Sequence, residues 1–176
     1  MSWLGRLREV LGLGLPADLN GVVPSEEDVL STARTDSGSH LAVTPLGLWV
    51  PESTGHRRIG WHLISKATWS DGVLSVTEAS EVGNAGQAVL LADGAAVPWQ
   101  LERPGDLPRM VRQRVESSIR ARHRKELAAG GAWFVLRKVP GSDGVVLQAR
   151  PDRTADPELV AAIAREAAEV MTPPDE

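Results

Sequence analysis

Between residues 28 and 101 apolar side chains recur at every second position, and turn-forming residues break the pattern at roughly 8–12 residue intervals. From residue 106 the period becomes that of a helix. Short strands joined by tight turns pair antiparallel and leave one apolar face to cover, and a single amphipathic helix can cover it. The switch of period therefore predicts an α+β protein: a partly open antiparallel β-barrel or sandwich capped by a long helix.

The elements follow from local signals. Residues 2–13 carry Trp3, Leu4, Leu7, Val10 and Leu11 at helical spacing, and 16–27 read as a linker. Strands are expected over 29–35, 40–44, 46–50, 58–64, 65–69 and 73–78, with Ser70-Asp71-Gly72 as a turn. Asp93-Gly94 predicts a hairpin between 88–92 and 95–101. Leu107, Met110, Val111, Val115, Ile119 and Leu127 mark a helix over 106–127, stopped by Gly130-Gly131. A hairpin (133–139 and 145–150) and a helix (157–171, opening on Asp156 and Pro157) complete the chain. Three regions result: an N-terminal amphipathic helix and linker over 1–27, the barrel with its capping helix over 28–130, and a β-hairpin with a C-terminal helix over 131–176, packed on the same domain.

Composition removes several chemistries. The chain of 176 residues has no cysteine, hence no disulfide, thiolate nucleophile or thiolate metal site. It has no tyrosine either, and no serine stands in a G-x-S-x-G elbow. His40, His56, His62 and His123 are scattered, without the i, i+4 spacing of a helical metal pair. Gly83-Asn84-Ala85-Gly86 lacks the lysine of a phosphate loop and reads as a plain loop. No cofactor and no metal are called for. No apolar run reaches the roughly 20 residues of a membrane span, and the N-terminal apolar residues are interrupted by Arg6, Arg8 and Glu9, so the expected location is cytoplasmic.

The runs LAVTPLGLWVP, RRIGWHLISKATW and DGVLSVTEA carry a resemblance. Through Thr44, Gly47, Leu48, Trp49, Arg58, Ile59, Trp61, Ile64 and Trp69 the chain resembles uncharacterised actinobacterial proteins with a pleckstrin-homology-like (PH-like) core, over about residues 28–127. The resemblance implies a barrel closed by a helix and a role in binding. Phosphoinositide binding in such cores uses basic residues around the first hairpin loop. Here that loop, Thr35–Ser39, has no lysine or arginine, and the activity is not carried over.

The expected core includes Trp49, Ile59, Trp61, Trp69 and Trp99. The surface has one pointed feature. Residues 106–127 hold seven basic side chains against three acidic ones, in a chain of net charge −4. Arg112, Arg114, Arg120, Arg122, Arg124 and Lys125 are the candidate binding residues, for an anion or nucleic acid. An exposed helix face is ordinarily charged, and no aromatic residue interleaves with these arginines to stack on bases. The leading expectation is a non-catalytic binding or scaffold domain that recognises a protein or peptide partner, with homo-oligomerisation open. Anion or nucleic-acid binding through the basic helix comes second. An enzyme with an unrecognised carboxylate or histidine site, for which a polar pocket around His62 would speak, comes third.

Overall fold

The computed structural model describes residues 14–171; the expected helix over 2–13 and the Pro173-Pro174 stop lie outside the described residues. The elements are β1 (Ser31–Arg34), β2 (His40–Val43), β3 (Gly47–Glu52), β4 (Gly55–Gly60), a 3₁₀ turn (Trp61–Leu63), β5 (Ile64–Ser70), β6 (Val73–Ala85), β7 (Ala88–Gln100), α1 (Leu107–Ser118), β8 (Ile119–Glu126), β9 (Gly131–Lys138), β10 (Val145–Pro151) and α2 (Pro157–Met171). The class is α+β, with two sheets. β1–β4 form an antiparallel meander, and the second sheet runs β5-β6-β7-β10-β9-β8. Among the described residues, only the β7–β10 pair is parallel.

The main core lies between the two sheets and under α1. Leu41, Val43, Leu48, Val50 and Ile59 of the first sheet meet Ile64, Leu74 and Val76 of the second, and Leu107, Val111 and Val115 of α1 complete it. A second core seats α2, through Val160, Ala164 and Ala168, on Ala132, Phe134, Leu147 and Ala149 of β9 and β10. Arg57 of β4 holds Glu78 of β6 through both carboxylate oxygens and so joins the sheets.

Four expectations need correction. First, the helix over 106–127 ends at Ser118, and Ile119–Glu126 is a strand paired with β9. The Ser118 hydroxyl donates to the Val115 carbonyl and accepts from Arg137, and the next residue, Ile119, is extended at φ −85°, ψ 122°. Gly130 accordingly belongs to the β8–β9 turn, and Gly131 opens β9. Second, Asp93-Gly94 is no hairpin. β7 runs through it, and the chain reverses instead between Ala85 and Ala88, where Gly86 takes φ 60° at the first central position. Gly94 lies in a bulge opposite Glu78, where a Cβ would come within 3.2 Å of the Glu78 carbonyl oxygen. Third, Trp49, Ile59 and Trp61 are buried and Trp99 packs against the core, but Trp69 is 42% exposed because it ends an edge strand beside the Asp71-Gly72 turn.

Fourth, residues 16–27 are not a free linker. Leu19 and Val23 pack on Ala42 and Trp49, on the outside of the four-stranded sheet. Glu27 is buried and accepts from Thr44, from the Trp49 indole (3.2 Å) and from Arg58 (2.7 Å). Asp18 accepts from the His40 backbone and engages its ring, both at 2.8 Å. Burial pushes the Asp18 carboxyl up, but the hydrogen bonds from His40 outweigh it and hold the group below its ordinary value of 3.8.

One buried side chain ties the six-stranded sheet across its own width. Arg137 of β9, 2% exposed, donates to the carbonyls of Trp61 (2.7 Å) and Ile64 (2.8 Å) and to the Ser118 hydroxyl (3.0 Å). Gln148 of β10 donates to the His62 carbonyl at 2.9 Å. These bonds draw β9 and β10 towards the start of β5, at the opposite edge of their own sheet.

Arg137→Met leaves the Trp61 and Ile64 carbonyls without donors; it should cost about 2 kcal/mol, seen as a lower urea midpoint at an unchanged slope. An unchanged midpoint would mean that the clamp adds nothing to stability. An acid held below its unfolded pKa stabilises the fold above that pKa, and the contribution fades as pH falls through the folded one. Asp18→Asn should therefore lower stability at pH 7, and lower it less at pH 3. Equal losses at both pH values would contradict the tether.

Candidate functional site

Strand register places the charged residues of the last three strands. On β9 and β10, Ala132, Phe134, Leu136, Leu147 and Ala149 face α2. Trp133, Val135, Arg137, Gln148 and Arg150 therefore occupy the opposite face. Arg122 of β8 pairs with Val135, and Arg124 with Trp133, so both arginines join that face.

This face holds a cleft of about 500 Å³, lined by residues of all six strands of the sheet. Ser65 and Lys66 come from β5, Thr77 from β6, Asp93 and Gly94 from β7, Ile119 and Arg122 from β8, Trp133 and Val135 from β9, and Arg150 from β10. β5 and β8 are the two edges of the sheet, so the lining runs across one face of the sheet from edge to edge. Val135, 2% exposed, lies at its floor, while Lys66 and Arg122 are exposed at its rim.

Three register shifts converge here. They fall between Ile64 and Lys66, between Thr77 and Ala79, and between Ile119 and Ala121. Each adds or skips a residue next to a lining side chain and re-aims the strand. Bulges concentrate at sheet edges and beside binding sites for that reason.

The electrostatics are one-sided. Lys66 and Arg122 make no ion pair among the described residues. Arg150 reaches Asp93 at 3.3 Å, and its Nε is buried without a partner. Burial pushes the Arg137 guanidinium down to about 10, and the charge on Arg150 adds to the fall. Arg124 is tied to Asp152 through both carboxylate oxygens and to Glu126, and its guanidinium lies 5.7 Å from the centre of the Trp133 ring. The hydrogen bonds from Arg124 lower the Asp152 pKa and raise that of Arg124 itself.

The candidate residues thus separate. Arg122 lines the cleft. Arg124 backs the Trp133 ring. Arg120 occupies the bulge of β8, and Lys125 pairs with Ala132 and so points to the α2 side. Arg112 and Arg114 stay on α1, where Arg112 pairs with Glu116. The basic stripe expected on one helix is divided between a helix and a strand. Lys66, Trp133 and Arg150 were missed. The clearest clue to them was the alternation of Trp133, Val135 and Arg137 against Phe134 and Leu136.

His62 does not line the cleft. Burial lowers its pKa and Arg137 adds to this, against the opposing charge of Glu81. Among the described residues no three His, Asp or Glu side chains gather as a metal-binding group, and no helix is long and apolar enough to cross a membrane. No protein-family model matches the chain, and neither a curated protein nor a solved structure matches it.

Proposed function

We propose that this chain is a non-catalytic binding domain whose ligand is anionic and sits in the cleft between β5 and β8. The observation that carries the reading is that Lys66 and Arg122, from opposite sheet edges, line one cleft and make no ion pair among the described residues. Arg150 adds a third cation, only partly offset by Asp93. Cations gathered around one cleft attract an anion more strongly than the same charges spread over a surface.

The lining chemistry favours binding over turnover. The one lining carboxylate, Asp93, is engaged by Arg150, and the Ser65 hydroxyl donates to the Thr77 carbonyl. No histidine lines the cleft to act as a base. The anionic ligand is preferred to the peptide partner because the cleft is compact and positive.

A PH-like reading of the first part of the chain is supported by seven strands preceding α1 and by α1 covering their shared core. On this reading β8–β10 and α2 are an addition to such a core, and they supply Arg122, Trp133 and Arg150.

Calorimetric titration with inorganic pyrophosphate at low ionic strength tests the proposal. Lys66→Ala and Arg122→Ala should each weaken binding about tenfold, as expected for loss of a charge-assisted contact. Arg112→Ala should bind like the parent, and added salt should weaken all three. Binding that depends on Arg112 as much as on Arg122 would contradict the assignment, as would no binding at all.

A further inference from the structure

The cleft offers more than charge. Trp133 remains 37% exposed on its wall, although the same strand buries Phe134 under α2. On that face the Arg124 guanidinium lies 5.7 Å from the ring centre, and part of the indole surface is open. Its two direct cross-strand neighbours are both arginines, Arg124 on β8 and Arg150 on β10. The aromatic residue that the basic segment lacks in sequence is supplied from the next strand, in register with it.

We infer that the ligand is a mononucleotide: a planar aromatic ring bearing a phosphate. The inference rests on the anion-binding reading above. The base stacks on Trp133, whose orientation is fixed by Arg124 and, through it, by Asp152. The phosphate sits between Lys66 and Arg122. Asp93, across the cleft, accepts from a ring amine or a sugar hydroxyl. The volume of about 500 Å³ falls in the range of small-molecule sites. A polymer is disfavoured by the net charge of −4 and by Asp93, Glu126 and Asp152 beside the cations.

The test compares adenosine 5′-monophosphate, ribose 5-phosphate and adenosine by calorimetry on the full chain. The monophosphate should bind about tenfold more tightly than ribose 5-phosphate, the increment of one base–aromatic stack. Trp133→Leu should bring it to the level of ribose 5-phosphate and leave ribose 5-phosphate unchanged, while Trp133→Phe should retain most of the difference. The comparison of the two phosphates on the parent chain stands even if a variant does not fold. Equal affinity of the two phosphates would overturn the nucleotide assignment and leave anion binding standing. Failure of both phosphates, together with pyrophosphate, would remove the anion site itself. A short single-stranded oligonucleotide that binds far more tightly than the monophosphate would overturn the choice of a single unit.

Discussion

Arg137 ties β9 to the 3₁₀ turn and the start of β5, across the large sheet. It is a buried cation held by two carbonyls and a hydroxyl, with no carboxylate beside it. A planar fork of donors can serve all three acceptors from one rigid group, which a lysine cannot do. Burial of the charge is unfavourable, and the lowered pKa registers that. In exchange the 3₁₀ turn, the start of β5, the end of α1 and β9 are fixed together at one point. With the Gln148–His62 bond, this clamp ties β9 and β10 to the start of β5.

The same geometry concentrates like charge. Arg137 sits behind the cleft, Arg150 is close enough to depress its pKa, and Lys66 and Arg122 close in from the edges. Only Arg124 is fully compensated, by Asp152 and Glu126. Mutual repulsion among the remaining cations is relieved by any anion that enters. On the proposed reading, a positive cleft in a chain of net negative charge draws an anion locally without making the whole surface attractive to nucleic acid.

Much of the fold was legible because short-range rules decide it. Asp71 and Gly72 both take positive φ in a two-residue hairpin, as the Ser-Asp-Gly run indicates. The apolar face of α1 and the strands of the first sheet follow from their periods. Two errors share a cause. Ile119 completes the stripe of α1, and the Arg, Lys and Glu after it favour helix intrinsically, so the alternation Ile119-Arg120-Ala121-Arg122 was masked. Pairing with β9 overrides that preference. Asp93-Gly94 carries hairpin chemistry, but the same small residue also serves a bulge, and only the partner strand distinguishes the two. The cleft could not be read at all, since its lining comes from six strands scattered between Ser65 and Arg150.

The central claim is that a cationic cleft, and not a basic helix, is the binding surface. Amide and arginine side-chain NMR spectra recorded during titration with inorganic phosphate test it most directly. The account predicts shifts confined to Lys66, Thr77, Gly94, Arg122, Trp133 and Arg150, with extended-strand carbon shifts over residues 119–126. Perturbations centred on Arg112 and Arg114, or helical carbon shifts continuing past Ser118, would contradict it.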